Sequence, residues 1–468
     1  MTTKIRHAPD SKGRRSHPEG NAGFVDTSLI YEELRSRFKR DSRPIDVDFR
    51  SLVGWVRLGD QYTHQLHPYP AKLLPHIANF FVNSRSVRGE SGYILDPFCG
   101  SGTVALEASL AGINPLVIDA NPFALLLTKV KTFPYDVDDL RGWLKSIVGK
   151  SKKYRVAPTI DVIHPNLWYK KEHLEKLNII ARAISEVDDI EVRDFFRVGL
   201  SLTARKVSFA DPAVSVPVRL KVKPNLSSVV NERISQRLRW IDSLSVIDEF
   251  YKVCDQNIQR IAETNFFRPN RVSAIQVGVD ARQIGDLSAR GIQPSLVLTS
   301  PPYGSAQKYI RASSLSLNWL ELASPDGLSA LEGVSIGREH LPRWQNVSSS
   351  ELEGLPDQYE RLLAKIASVN QTRSDITRQY LIDMRCAARE IAKVLPREGH
   401  AVFVVGNNTV TGELLSNDDF LIRVCAELGL ALELELIDHI KSRGLMTKRN
   451  QTASVIARES VLVFKKVG

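Results

Sequence analysis

Two features of the sequence combine glycine, hydroxyl and acidic residues in a spacing that suits a bound nucleotide. The first is the run 96–103, Asp-Pro-Phe-Cys-Gly-Ser-Gly-Thr. Its glycines allow the backbone to approach a ligand closely, and a helix that starts at its end offers free N–H groups to a carboxylate. The second is Asp119, which ends the next apolar run, where an acid can accept both hydroxyls of a ribose. Together they predict a nucleotide-containing cofactor.

The spacing of the glycines disfavours two common cofactor classes. A dinucleotide-binding GxGxxG loop needs a third glycine, which the residues 103–105 do not supply, and a phosphate-binding P-loop needs a following Gly-Lys-Ser/Thr. We therefore expect neither NAD nor ATP.

The elements around this loop follow an α/β order. Residues 93–96 predict a strand, 104–111 a helix closed by Gly112, and 115–119 the next strand. Strand, glycine loop, helix, strand and acid in this order form the first half of a doubly wound parallel sheet. Later strand patterns lie at 275–279, 295–298, 401–405, 431–438 and 454–464.

Composition narrows the class of protein. The formal net charge of +10 attracts polyanions such as nucleic acids. The four cysteines are far apart and form no CxxC pair, so we expect neither a disulfide framework nor a metal site. No apolar run approaches the roughly 20 residues that a bilayer span requires. We expect a cytoplasmic protein that makes no contact with a membrane.

A second stretch, Thr299-Ser-Pro-Pro-Tyr303, directly follows the predicted strand 295–298. Together with residues 96–103 and Asp119, this stretch resembles the motifs of a known enzyme family. Residues 96–103 resemble motif I of class I S-adenosylmethionine-dependent methyltransferases, and Asp119 resembles their ribose-binding acid. Residues 299–303 resemble catalytic motif IV of the DNA amino-methyltransferases, and the serine form with a preceding threonine is typical of the cytosine-N4 branch.

The resemblance implies a fold and a reaction. The fold is a Rossmann-like, doubly wound sheet of seven mostly parallel strands, and the cofactor is S-adenosylmethionine. The catalytic residues are Ser300, Pro301, Pro302 and Tyr303. An exocyclic amine has a lone pair that is delocalised into the ring. The Ser300 hydroxyl and the Pro301 carbonyl would therefore accept hydrogen bonds from its two N–H groups and direct the lone pair at the methyl group.

The resemblance also implies a set of cofactor contacts. The segment 67–72, His-Pro-Tyr-Pro-Ala-Lys, resembles motif X, which closes over the methionine part of the cofactor, and Asp280 occupies the place of the motif III acid. The cofactor-binding residues implied are His67, Pro68, Lys72, Asp96, Pro97, Phe98, Gly100, Gly102, Thr103, Asp119 and Asp280.

Four regions are predicted along the chain. Residues 1–45 form a flexible basic arm, 46–135 the cofactor half of the catalytic domain, 136–268 a mainly helical insertion, and 269–468 the catalytic half. The family usually places target recognition elsewhere, so recognition by the insertion is a hypothesis. Basic residues of the insertion motivate it, and a solvated surface explains them equally well.

Several alternatives to methylation of cytosine N4 in duplex DNA stay open. Adenine N6 is one, because the serine differs from the more usual Asp or Asn by one hydrogen-bonding group. RNA guanine N2 is another, since those enzymes share a similar glycine loop and a Pro-Pro-Tyr-Gly motif. A catalytically silent DNA-binding subunit is the non-enzymatic reading. A cytosine-C5 enzyme is rejected, because it needs a Pro-Cys nucleophile and no cysteine here follows a proline.

The resemblance further implies partners. Double-stranded DNA is the expected substrate, with association to the nucleoid through DNA, and a cognate restriction endonuclease is a possible partner. The oligomeric state is left open by the sequence.

Overall fold

The computed structural model describes residues 25–467 apart from 55, 57–60, 71, 91, 305–307, 339, 342–353 and 441–456. The strands are β1 (Ile45–Val47), β2 (Tyr93–Asp96), β3 (Asn114–Ile118), β4 (Ile275–Gly278), β5 (Leu296–Thr299), β6 (His400–Val405), β7 (Asn408–Val410), β8 (Glu413–Leu415), β9 (Leu430–His439) and β10 (Arg458–Lys466). The predicted α/β class is confirmed.

The helices of the first half of the chain are α1 (Ser28–Asp41), α2 (Phe49–Leu52), α3 (Pro75–Val82), α4 (Arg85–Arg88), α5 (Thr103–Leu110), α6 (Pro122–Thr132), α7 (Val137–Lys153), α8 (Pro165–Trp168), α9 (Lys171–Ser185) and α10 (Ile190–Val207). Those of the second half are α11 (Ser228–Ser243), α12 (Val246–Phe267), α13 (Tyr309–Trp319), α14 (Leu328–Val334), α15 (Asp357–Val369), α16 (Gln371–Val394) and α17 (Asn417–Glu427). Within the described residues, none of these helices is long and apolar enough to cross a bilayer.

The main sheet has the strand order β1-β9-β10-β6-β5-β2-β3-β4. Strand β10 runs antiparallel to β6 and β9, and the other pairs are parallel. The strand β2 pairs with β3 on one side and with β5 on the other, so the order reverses between β2 and β5. In open α/β sheets a ligand crevice forms at such a reversal, outside the carboxyl ends of the strands.

The central strands are buried on both faces, as parallel strands usually are. Ile94, Leu296 and Val402 face a core shared with α1, α2, α3 and α5. Their neighbours in the chain, such as Leu95 and Val297, face a second core shared with α15, α16 and α17. Burial on both faces fixes the strand register, because a shift by one residue would exchange the two faces.

The predicted number of seven strands is wrong, because β1 adds an eighth at the edge beside β9. The predicted flexible arm over 1–45 is also too long, since residues 28–41 form α1 and residues 45–47 form β1. Residues 1–24 of that arm lie outside the described residues.

The insertion over 136–268 is mainly helical, with α7 to α12 inside it. The helices α11 and α12 are separate, because Ser245 caps α12 by accepting a hydrogen bond from the Asp248 backbone N–H. The insertion helices share a third core with α6 and α13. Trp168 and Tyr169 are buried in that core.

One carboxylate fastens α1 to the sheet. Glu433 of β9 accepts a hydrogen bond from the Tyr31 hydroxyl at 2.6 Å and pairs with the Arg35 Nε at 2.7 Å. His400 Nε2 lies 3.0 Å from the same carboxylate. Although burial opposes ionisation, these partners hold the pKa of Glu433 at about 2. The helix therefore depends on the ionised form of Glu433.

We predict that Glu433→Gln lowers the free energy of unfolding by about 2 kcal/mol at pH 7, because it removes a charged hydrogen-bond acceptor from buried partners. The unfolded glutamate has a pKa of roughly 4.3. Since the folded pKa is lower, the stabilisation is complete above pH ~4.3 and is lost as the pH falls towards about 2. Urea unfolding at pH 7 and pH 3 measures both effects.

The control is Glu32→Gln, which removes a more exposed acid of α1 that pairs with Arg35. Its effect should be within ~0.5 kcal/mol. Equal losses in the two variants would contradict a special role for Glu433.

Candidate cofactor and catalytic site

The glycine loop joins β2 to α5 through a tight turn. Gly100 has φ +48° and Gly102 has φ +73°, a region that favours glycine. A Cβ on Gly102 would lie 2.5 Å from the Thr128 hydroxyl oxygen. Pro97 and Phe98 form the first part of the turn, and Thr103 begins α5. Glycine is thus required at 102 for the loop to pack against α6.

Asp119 lies directly beside this loop. One carboxylate oxygen accepts the Gly100 backbone N–H at 2.8 Å, and the other accepts the Asn121 backbone N–H at 2.8 Å. Burial raises the pKa of Asp119 to about 6, although both N–H donors act in the opposite direction. Each oxygen keeps a further lone pair, so the carboxylate can still accept hydroxyl groups of a ligand.

Asp96 connects the glycine loop to the predicted catalytic segment. Its Oδ1 accepts the Thr299 hydroxyl at 2.6 Å and the Phe98 backbone N–H at 3.1 Å. Burial raises the pKa of Asp96 to about 7. The side chain therefore bridges the ends of β2 and β5, and direct contact with the cofactor stays a prediction.

The segment Ser300–Tyr303 leaves the carboxyl end of β5 beside that bridge. Ser300 and Pro302 are partly exposed, whereas Pro301 and Tyr303 are buried. The Tyr303 hydroxyl donates to Glu459 Oε1 at 2.9 Å, and burial with this carboxylate raises the pKa of Tyr303. The ring is thus held from its hydroxyl end, and its stacking on a base stays a prediction.

The residues of the predicted motif X segment lie in two different environments, one buried and one accessible to solvent. His67 is buried, with Nε2 3.1 Å from the Ser201 hydroxyl of α10 and Nδ1 2.7 Å from the Pro68 carbonyl oxygen. Burial lowers the pKa of His67 to about 3, so the ring is neutral. His67 therefore fixes the segment to the insertion. Pro68 is exposed, and Lys72 is partly exposed just before α3.

Asp280 follows β4 and is held by an arginine. Arg282 donates to its two carboxylate oxygens at 2.9 and 2.8 Å and also to Asp383 of α16 at 2.9 Å. These bonds fasten the loop after β4 to α16. The role of Asp280 towards an adenine amine stays a prediction.

Four residues at the site were not among the predicted catalytic or cofactor-binding residues, although Tyr69 lies within the predicted motif X segment. The Asn121 side chain donates to the Tyr69 hydroxyl and to the Ser313 hydroxyl, each at 3.1 Å, and caps α6. The fourth is Glu459, the partner of Tyr303. An Asn-Pro pair after Asp119 is a recognisable helix start, but its two distant partners leave no local signal.

The geometry suits a nucleotide-containing cofactor. The loop with Gly100 and Gly102, Asp119 and the segment from Ser300 lie together at the carboxyl ends of β2, β3 and β5. A turn that excludes side chains beside a carboxylate with spare acceptor capacity is what a ribose-bearing ligand requires. His67 and Asp280 flank this site, bonded to α10 and α16 respectively.

Comparisons with known proteins agree with this site. Residues 61–152 match the family described as RMKL-like, methyltransferase domain. The chain is 24% identical over 373 residues to the type II methyltransferase M.MvaI of Kocuria varians, which covers 75% of this chain and 78% of that protein. It is 34% identical over 94 residues to the type II methyltransferase M.MjaII of Methanocaldococcus jannaschii, which covers 20% of this chain and 17% of that protein.

Among solved structures, an rRNA methyltransferase of Streptomyces viridochromogenes aligns with 85% of this chain and 88% of its own, at 13% identity and a TM-score of 0.29. The fold assignment rests on the strand order of the sheet. With the family match, the predicted resemblance to methyltransferases that use S-adenosylmethionine as methyl donor is confirmed: residues 61–152 match a methyltransferase domain.

Proposed function

We propose that the protein methylates the exocyclic N4 amine of cytosine in duplex DNA. The observation that carries the proposal is the buried hydrogen bond between Thr299 and Asp96 at 2.6 Å, which couples a Thr-Ser-Pro-Pro-Tyr segment to the cofactor loop. Two relatives named as type II methyltransferases support DNA as the substrate. A restriction endonuclease that cuts the same site is the partner we propose.

The residues from Ser300 onward have a specific task in this reaction. When bound, S-adenosylmethionine supplies a methyl group activated by a positively charged sulfur. The Ser300 hydroxyl oxygen and the Pro301 carbonyl oxygen accept hydrogen bonds from the two N–H groups of the amine. The lone pair of the amine then no longer delocalises into the ring. The following Pro302 has a fixed φ, which keeps the carbonyl direction reproducible.

Tyr303 supports the extruded base. An aromatic face stabilises a stacked base and tolerates the positive charge that reaches nitrogen during transfer. Its hydroxyl bond to Glu459 at 2.9 Å limits rotation of the ring. A ring held in advance costs less entropy when the base arrives.

The decisive experiment identifies the methylated nucleoside. Purified protein is incubated with labelled S-adenosylmethionine and either duplex DNA or bulk RNA, and the digested product is chromatographed. N4-methylcytosine is the expected product. N6-methyladenine would change the assigned target base from cytosine to adenine and leave the mechanism unchanged. Label only in RNA guanosine would contradict DNA as the substrate. No label in either nucleic acid would favour a catalytically silent binding subunit.

We predict that Ser300→Ala lowers kcat by about 100-fold, a loss typical of removing one preorganised hydrogen-bonding group from a transition state. Affinity for S-adenosylmethionine should stay within about twofold, because the hydroxyl acts on the amine. Single-turnover kinetics and calorimetry measure the two quantities. The control is Ser314→Ala, since among the described residues that hydroxyl bonds only the Arg311 carbonyl of its own helix. A loss of cofactor affinity in Ser300→Ala would contradict the assignment.

We also predict a pH dependence of cofactor binding. The pKa of Asp119 is about 6, so its carboxylate protonates below that pH and loses acceptor capacity for ribose hydroxyls. The Kd for S-adenosylmethionine should be constant above pH ~7 and should rise as the pH falls through 6.

Calorimetry with Asp119→Asn is the matched test. This variant should bind more weakly at pH 8 and show no further loss down to pH 5.5. If the dependence persists in the variant, the titrating group is Asp96, whose pKa is about 7, and the prediction for Asp119 is wrong.

A further inference from the structure

Three arginines of the insertion donate hydrogen bonds to backbone carbonyl oxygens. Arg205 donates to the Val214 oxygen at 3.0 Å, Arg219 donates to the Leu167 oxygen at 2.8 Å, and Arg237 donates to the Lys206 oxygen. None of these three has a carboxylate partner within the described residues. By contrast, Arg282 and Arg378 pair with carboxylates. The three guanidinium groups are oriented by carbonyl oxygens, and among them Arg237 also interacts electrostatically with Glu249 at longer range.

The residues around these arginines are strongly basic. Between 205 and 239 there are eight lysines and arginines and two acids, Asp211 and Glu232. Lys206 pairs with Glu249, and Arg239 pairs with Glu232. The other six, which we call the basic surface, are Arg205, Arg219, Lys221, Lys223, Arg233 and Arg237.

The basic surface is accessible to a large partner. Only Ile234 and Ile241 of α11 are buried. Lys221, Lys223 and Arg233 are exposed, whereas Arg205, Arg219 and Arg237 are partly exposed. Such a solvated row of charges is stable without a partner, but it creates a positive potential over this side of the molecule.

Helix packing brings one member of the basic surface, Arg205, towards the candidate catalytic site. The helices α10 and α13 run antiparallel, because Arg197 bonds the Leu320 carbonyl and Ser201 bonds Ser316 at 2.8 Å. Successive turns of α10 thus approach the start of α13, which follows the catalytic segment. Arg205 lies one turn beyond Ser201, which itself contacts His67. One helical turn advances ~5.4 Å, so Arg205 lies at the cleft end of α10.

We propose that the basic surface binds the phosphates of the DNA strand that carries the target base, an inference that rests on the proposed DNA substrate. Duplex DNA presents one negative charge per ~1.7 Å of its axis, which is complementary to a group of cations that form no carboxylate ion pair in the described part of the chain. An enzyme that extrudes a base must hold the flanking backbone, because unstacking the base costs free energy. Guanidinium groups already tethered to carbonyls lose little freedom on binding a phosphate. Phosphate contacts position the duplex and leave base choice to other groups.

The test uses direct binding, so that it does not depend on methyl transfer. A fluorescent 30-base-pair duplex is titrated with the full-length protein at several salt concentrations and followed by anisotropy. The test variant replaces Lys221, Lys223 and Arg233 by alanine, because these side chains are exposed and hold no other element in place. The control variant replaces Lys39, Arg290 and Lys365, three exposed basic residues outside the basic surface.

We expect the test variant to bind duplex DNA at least about tenfold more weakly near 0.1 M salt, with a salt slope shallower by about 2 to 3. The control variant should stay within about twofold, and S-adenosylmethionine affinity should be the same in both. Equal losses of affinity in the two variants, or no loss in either, would contradict the proposal that the basic surface binds DNA. Tighter binding of single-stranded RNA than of the duplex would overturn DNA as its occupant.

A further variant, Arg205→Lys, separates orientation from charge. It keeps one positive charge but loses the two-pronged donor, so KM for DNA should rise several-fold while the melting temperature stays within a few degrees. If the nucleoside analysis finds no methylated DNA and the test variant still loses duplex binding, the proposed function fails and the basic surface stands.

Discussion

The structure depends on one buried hydrogen bond, from the Thr299 hydroxyl to Asp96 at 2.6 Å. It joins the ends of β2 and β5, the two strands between which the sheet order reverses. The glycine loop begins after one partner, and the proposed catalytic segment begins after the other. Neither residue is free to move without disturbing both loops. A rigid link of this kind holds reacting groups within the small tolerance that methyl transfer requires.

The carboxyl groups at this edge are costly to ionise in the absence of a ligand. Burial raises the pKa of Asp96 to about 7 and that of Asp119 to about 6. A positively charged ligand that binds beside Asp119 favours its ionised form and lowers its pKa. The site is thus electrostatically suited to a cationic cofactor, and part of the binding energy is used to ionise the site.

Motifs contained within one loop could be predicted from the sequence, and contacts between distant segments could not. The turn at Gly100 and Gly102 and the strand before Ser300 follow from local residue types. The bond from Tyr303 to Glu459 spans 156 positions, and that from Tyr31 to Glu433 spans 402. The second explains why α1 was mistaken for part of an arm, since only Tyr31 of that helix is buried. Its stability comes from tertiary contacts, which helical propensity does not report.

The position of the insertion in the chain explains how it can serve the site. It occupies the connection between β3 and β4, and β4 is the edge strand of the sheet, so added residues there displace no other strand. Its helices pack instead against α6 and α13, the helices that follow Asp119 and Tyr303. Because α10 runs antiparallel to α13, its carboxyl end points back towards the cleft. A large insertion can therefore pack beside the candidate site while the reversal between β2 and β5 keeps its geometry.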